Sequence, residues 1–397
     1  MKQFRFITAL FLLAALPMTV LPQDLKKEDG VFKTVIQKTY DVKPGGKIIL
    51  ETSGADVQVQ AAASNQLEVR ESLSLDVYTD EEAKKAVEKE LRTYSFENNT
   101  VRISSGSGKN WIDRDFEIAV PRSFNVEVNT SGGDISVEGV EGNTLLSTSG
   151  GDIEVARTTG TVEVSTSGGD LELKDITGNL QAETSGGDIQ LLNIKGDVEV
   201  ATAGGDLSLN RVRGKIEAAT SGGDIETVDC EGASIEIATS GGDIQLSRIS
   251  GPLEAATSGG DISGNGFSDK IEIATSGGDI ALEEVGGAAE VATSGGDITV
   301  VVAKTQKKPH DLDIATSGGD IRLSLPADIK ASVTAEIVLG EKRGLERNDV
   351  YSDFPLTKKE LEVDGDKVIR CTGDINGGGD PILLKTHGGD IHITRIQ

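Results

Sequence analysis

Between Val162 and Ile176 the apolar side chains fall at Val162, Val164, Leu171, Leu173 and Ile176, with polar residues between them. A period of two predicts strands rather than helices. The pattern then returns around the core Thr-Ser-Gly-Gly-Asp-Ile. Its Asp falls at Asp134, Asp152, Asp170, Asp188, Asp206, Asp224, Asp243, Asp261, Asp279, Asp297 and Asp320, at spacings of 18 apart from one of 19 and one of 23. Core columns persist with it. Eight residues before the Asp stand Val162, Leu180, Val198, Ile216, Ile235, Leu253 and Ile271, and one residue after it stands Ile or Leu.

Eighteen residues holding two short strands, a Gly-Gly corner and a second corner near Gly178 are too few for a strand-helix-strand unit. They suit one coil of a parallel β-helix, in which each coil buries its inner row only against its neighbours. The fold class is therefore all-β, a single-stack β-solenoid, with right-handed coiling the expected hand for parallel crossovers. From Asn125 to Lys330 the one Phe, Tyr or Trp is Phe267, so the interior is narrow and filled by aliphatic stacks. At ~4.8 Å per coil, Asp134 to Asp320 makes a rod of roughly 48 Å.

The ends depart from the repeat, as a solenoid needs, because an uncapped coil exposes core and unpaired strand edge. Lys2 and Arg5 followed by the apolar run Phe6–Leu16 and Pro17 have the layout of a secretory signal, expected to occupy residues 1–22. Residues 23–128 read as a strand-rich N-terminal cap with one helix over 80–94, where Asp80 is the N-cap and Ala83, Val87 and Leu91 recur at helical spacing. Regular coils fill 129–338. A charged loop from Leu339 to Glu362 and a closing coil over Gly373–Gln397 make 339–397 the C-terminal cap.

The strand Tyr40-Asp41-Val42-Lys43-Pro44-Gly45-Gly46, the repeated core, and the closing Gly373-Asp374-Ile375-Asn376-Gly377-Gly378-Gly379 with Gly389-Asp390-Ile391 carry a resemblance. Over nearly all of the chain after the signal, the sequence resembles the bacterial putative-adhesin family of β-strand-repeat proteins, with a weaker likeness to the auto-transporter adhesin head domain. The resemblance implies export and a solenoid fold. It brings no catalytic residues.

Charge narrows the partners. The net charge is −26, and removal of the signal would take away two positive charges and leave the rest more acidic still. Such a field repels nucleic acid and anionic lipid and attracts cations or basic partners. Two Cys cannot staple a chain of this length. Cys230 stands six after Asp224, in the column of Val140, Ile176, Ile194, Val212, Ile249, Phe267 and Val285, and is expected in the core, unbridged to Cys371.

Alternation turns the Asp column outward at the Gly-Gly corner, which adjacent Gly such as Gly222-Gly223 suggest has positive φ. Carboxylates ~4.8 Å apart repel by about 0.9 kcal/mol even in water-like surroundings. One compensation is structural, each Asp capping its turn through backbone N–H groups in the manner of an Asx-turn. The other is bound calcium, which takes six to eight oxygens and would make the eleven Asp its ligands. The structural cap is preferred, and no cofactor is required.

A second acidic column stands seven before the Asp, at Glu127, Glu163, Glu199, Glu217, Glu236, Glu254, Glu272, Glu290 and Asp313. Beside it runs a small-residue stripe of Ala201, Ala219, Ala238, Ala256, Ala274, Ala292 and Ala315. Both are solvated strand surface by default, and together they could bind a polymer or another solenoid. Thr166, Thr202, Thr239 and Thr275 have inward parity, so their hydroxyls should satisfy backbone; an ice-binding face would need outward Thr rows. The insertion Lys304–His310, with Lys307 and Lys308, is a solvated loop or a docking tip. His310, His387 and His392 share no metal or triad spacing.

These features point to a non-enzymatic exported scaffold acting at the periplasm or cell surface, or secreted. It would present repeated acidic faces to envelope polymer, glycan, a protein partner or a like solenoid, with no nucleic acid and no transmembrane anchor. The alternatives are a polysaccharide-acting β-helix enzyme and a calcium-dependent surface-layer or adhesion protein. Enzymes of that kind break the repeat with a local cluster of carboxylates and bases, which this uniform column does not do.

Overall fold

The computed structural model describes residues 23–90, 93–104, 112–304, 311–339, 348–363 and 365–396. The expected signal segment, Leu91 and most of the 304–310 insertion, with Lys307, Lys308 and His310, lie outside them. The chain forms two sheets of eighteen strands each, running side by side along one stack of coils.

One coil shows why the sequence folds this way. Leu171–Thr177 lies in the first sheet and Leu180–Glu183 in the second. They pair in parallel with the next coil through Leu171↔Ile189 and Leu180↔Val198, a register offset of one repeat. Alternation sends Leu171, Leu173, Ile176, Leu180 and Ala182 into a continuous aliphatic core, which Phe267 and Cys230 also join. Burial pushes the Cys230 thiol up, and both cysteines are free and buried.

The Gly-Gly corner works differently from the sequence expectation. Neither Gly222 nor Gly223 has positive φ. The second glycine is required by close approach: a Cβ on Gly223 would lie 2.0 Å from the carbonyl oxygen of Gly205 in the preceding coil. The left-handed conformation occurs instead at the other corner, as at Gly178 (φ 137°) and Gly196 (φ 143°).

The first sheet's terminal strands turn antiparallel at the N-terminal end. Val31–Asp41 pairs with Gln66–Leu75, which pairs with Ile112–Pro121. Helix α1 spans Asp80–Glu90, and Tyr94 already opens a strand, so the helix is shorter than the expected 80–94. Its N-cap is Thr79, not Asp80: Thr79 Oγ1 accepts the Glu82 N–H at 3.2 Å, while Glu82 Oε2 accepts the Thr79 N–H at 3.1 Å. This reciprocal pair satisfies two helix-end donors, and it places Asp80 in the first turn, where its charge favours the helix dipole.

Chain order and spatial order part company at both ends. Gly46–Glu51 lies between Thr100–Ser104 and Phe124–Asn129, so a later segment forms the outer coil. Asp380–Thr386 lies between Leu312–Thr316 and Ala331–Leu339, and Ile391–Ile396 lies between Ile321–Pro326 and Val350–Ser352. The final coil of the chain is therefore internal, not the closing cap. The outer layer is built by Val350–Ser352 and the antiparallel pair Thr357–Val363 with Asp366–Ile375, the first two of these strands lying largely in the stretch from Leu339 to Glu362 expected to be loop. Thr386 Oγ1 donates to the Gly319 carbonyl and the Asp390 N–H to Asp320 Oδ1, so this late segment makes the inter-coil bonds of a regular coil.

Candidate functional site

The Asp column is a hydrogen-bonded ladder between coils. Asp134 Oδ1 accepts the backbone N–H of Asp152 at 2.9 Å, and Asp152 Oδ1 accepts that of Asp170 at 2.8 Å. The same bond repeats at Asp188, Asp206, Asp224, Asp243, Asp261, Asp279, Asp297 and Asp320. Asp56 extends the ladder at one end, Asp390 and then Asp349 at the other. The expected local turn cap thus becomes an inter-coil clamp, because strand stacking puts the next coil's N–H over each carboxylate. These bonds are charge-assisted, and they set an N–H dipole against the repulsion along the row. Sequence periodicity missed Asp349, which follows no Gly-Gly.

Arg322 closes the C-terminal part of the row, reaching Asp297 at 2.9 Å and Asp320 at 2.8 Å. Burial works to raise the Asp297 carboxyl, but Arg322 and the Asp320 N–H outweigh it and hold it below the usual range. Among the described residues no group of three or more His, Cys, Asp or Glu is placed to hold a metal ion. With one oxygen of each Asp engaged by backbone, chelator is expected to shift the melting temperature by no more than a degree or so (~1 °C), since a ligand stabilises only as ln(1 + [L]/Kd). A large chelator-induced loss of β circular dichroism, restored by millimolar calcium, would contradict this and make the Asp residues ligands.

A second ladder lies inside the corner. Thr220 Oγ1 donates to the carbonyl of Gly205 in the preceding coil at 2.9 Å and accepts the N–H of Gly223 at 3.3 Å. Thr166, Thr202, Thr239 and Thr275 repeat it, all buried, as their inward parity predicts. Each corner is thereby tied to the next by one Thr hydroxyl and one Asp carboxylate, with a bare glycine between them.

On the second sheet Glu199, Glu217, Glu236, Glu254, Glu272, Glu290 and Asp313 stand in direct register, one per coil. The alanines from Ala201 to Ala315 stand in register beside them over the same coils. Towards the N-terminus the acidic row is interrupted, with Leu145 between Glu127 and Glu163 and Gln181 between Glu163 and Glu199. Lys215 pairs with Glu217 and Lys270 with Glu272, both exposed and so of small energetic weight. On the first sheet a shallow open depression of about 340 Å³ runs beside the Asp ladder, floored by Gln190, Ser208, Glu226 and Gln245.

The repeat hides a charged column that periodicity alone did not reveal. Five residues after the Asp, Arg157, Asp175, Asn193, Arg211, Asp229, Arg248 and Glu284 all have φ between 53° and 59°. The left-handed turn places two successive side chains outward, so neighbours in this column meet: Arg248 holds Asp229 at 2.5 and 3.0 Å, and Asn193 donates to Asp175 at 2.6 Å. Its mixed signs contrast with the acidic rows. Of the histidines, His392 stacks on Tyr351 with ring centroids 4.8 Å apart, and His387 is exposed.

Among the described residues no helix is long and apolar enough to cross a membrane. No curated protein matches the chain. Three solved structures are similar at low identity. A putative adhesin from Bacteroides fragilis is 16% identical, with 73% of this chain and 96% of that one covered, at a TM-score of 0.23. A putative lipid binding protein from Parabacteroides distasonis has the same identity and coverage at 0.27. A putative cell adhesion protein from Clostridium sporogenes is 10% identical, with 91% and 100% covered, at 0.15. The family comparison goes further, for its matches at residues 46–269 and 215–394 overlap and together span 46–394, every regular coil included. The chain belongs to the Toastrack DUF4097 family.

Proposed function

We propose that the protein is an exported, non-enzymatic surface-interaction scaffold, working at the cell envelope or outside it, whose second sheet is a multivalent contact face. The observation that carries this reading is the unbroken register of Glu199 to Asp313 beside Ala201 to Ala315, which presents one acidic, low-relief unit per coil. A flat row of identical units fits an extended repeating partner such as envelope polymer or glycan. Each contact is weak, and the array supplies avidity through effective concentration. The net charge of −26 favours partners that carry basic groups.

The uniform distribution of carboxylates supports a binding role over a catalytic one, since acid–base work needs one pair set apart by its surroundings. The test is a glycan-array screen of residues 23–397, followed by the same screen with Glu217, Glu236, Glu254 and Glu272 all changed to Gln. The reading predicts binding to extended glycans and its loss, by tenfold or more, in the variant. Unchanged binding by the variant would remove this face from the function, and turnover of any glycan by the wild-type chain would make the protein an enzyme.

A further inference from the structure

The N-terminal cap contains a buried charged seam that the contact face does not use. In Gln66–Leu75 the inward row reads Leu67, Val69, Glu71, Leu73, Leu75, and Glu71 is only 1% exposed. In Ile112–Pro121 it reads Arg114, Phe116, Ile118, Val120, with Arg114 3% exposed. Leu67, Val69, Phe116, Ile118 and Val120 belong to the core of the coil stack. Leu73 and Leu75 belong to a separate small core with Phe32, Ile36, Ala83, Ala86 and Val87, built under α1. The charged pair sits where one core gives way to the other.

From α1, Glu90 joins them. Arg114 Nη1 lies 2.9 Å from Glu90 Oε2 and 3.5 Å from Glu71 Oε1. Tyr94 donates its hydroxyl to Glu71 Oε2 at 2.6 Å, and among the described residues Glu71 Oε1 has no hydrogen-bond partner. Lys38 stands 4.5 Å from the centre of the Tyr94 ring. Among the described residues, the titratable groups facing the seam are Lys38 and Tyr40 from Val31–Asp41, Glu71, Glu90 of α1, Tyr94, and Arg114.

A buried triad of this kind stabilises little beyond what an apolar packing would, while separating its members is costly. α1 is joined to the solenoid partly through a polar seam, and local opening is drawn from regions with few buried apolar contacts. We propose that the Glu71–Arg114–Glu90 seam is a pH-governed latch that lets α1 and the core beneath it open as a unit while the coils stay folded.

The sign follows from burial. Burial pushes the Glu71 carboxyl up, with Glu90 adding to it and Tyr94, Arg114 and Lys38 opposing. A closed latch therefore holds a proton that an open one releases. Its stabilisation is full below the ordinary carboxylate range and is lost as pH rises through the raised value. Burial also pushes Lys38 down, which favours the closed state at alkaline pH, so the readout belongs on the acid side of neutrality.

Hydrogen exchange of the full chain from pH 4.5 to 7.5, corrected for intrinsic rates, tests the latch. Protection of α1 amides should fall with rising pH, by up to about tenfold per unit where a single proton is released, while central coils stay level. Glu71→Gln should flatten the α1 profile. Glu90→Gln, which keeps Glu71 but removes its like-charged neighbour, should move the fall to lower pH and decides the matter if the first variant does not fold. An α1 profile that is level in the wild type, or that keeps its slope and position in both variants, would overturn the proposal.

Discussion

Gly223→Ala, a single methyl in the middle of the stack, is expected to destabilise the protein by more than about 3 kcal/mol. The added Cβ would lie 2.0 Å from the Gly205 carbonyl oxygen and 2.7 Å from Asp206 Oδ1, and the first of these is backbone that cannot move without separating two coils. Separation also strains the Thr220–Gly205 bond and the Asp224–Asp206 bond at the same corner. By contrast, Asp224→Asn keeps an oxygen for the N–H of Asp243 and relieves repulsion from both column neighbours. It should cost less than about 1 kcal/mol. Neighbouring Gly222, whose nearest heavy atom to a built Cβ is 3.6 Å away, should accept Ala far better than Gly223. Denaturant melts of the three variants check the order. If Asp224→Asn were the most damaging, the Asp charge would be making a contact, to a cation or a partner, that the inter-coil ladder does not include.

Deleting residues 380–397 should damage the protein as an internal cut does, although it removes only the chain's end. Ile382, Leu384, Ile391 and Ile393 are fully buried, and burial of such side chains is worth about 1.5–3 kcal/mol each. Their strands are the bridge between the regular coils and Ala331–Leu339 with Val350–Ser352. The expected result is loss of the whole region beyond Pro326, seen as rapid proteolysis there and an unfolding free energy lowered by more than about 5 kcal/mol, on the order of the four lost side chains. Removal of the edge strand Gln23–Glu28 should cost about 1 kcal/mol or less, because it pairs on one side only. Equal effects from the two truncations would mean that the final coil is terminal after all.

The coil was legible because it is written many times over. Alternation at Val162, Val164, Leu171 and Leu173 fixes strand, face and register together, and an eighteen-residue return leaves one way to stack them. The inward Thr was legible for the same reason. What escaped depends on three-dimensional neighbours. The partner of Asp152 is an amide eighteen residues later, so a rule about local turns assigned the carboxylate to its own corner. Gly223 looks like a φ > 0 glycine in sequence, where a close approach by Gly205 leaves no mark. The left-handed residues Arg157, Asp175 and Asn193 carry no shared side chain, and only their backbone angle unites them. The interleaving of Asp380–Thr386 between Leu312–Thr316 and Ala331–Leu339 is a choice between docking partners far apart in the chain. Glu71 had a visible signal, an acid in the apolar row Leu67, Val69, Leu73, Leu75, and so had Arg114, a base ahead of Phe116, Ile118 and Val120.

A multivalent face requires equivalence: seven registered coils, each contributing the same small contact, with no residue indispensable. That is measured most directly by changing one, three, five and then all seven of Glu199, Glu217, Glu236, Glu254, Glu272, Glu290 and Asp313 to their amides, and recording apparent affinity for the strongest glycan found on the array. All seven side chains lie on the surface, and replacing them reduces mutual repulsion, so the coils themselves should stay folded, as circular dichroism would verify. A distributed face predicts a near-linear fall in the logarithm of affinity with the number of coils changed, whichever coils are chosen. A single substitution that abolishes binding, with the other six having no effect, would contradict it and place a discrete site at that coil.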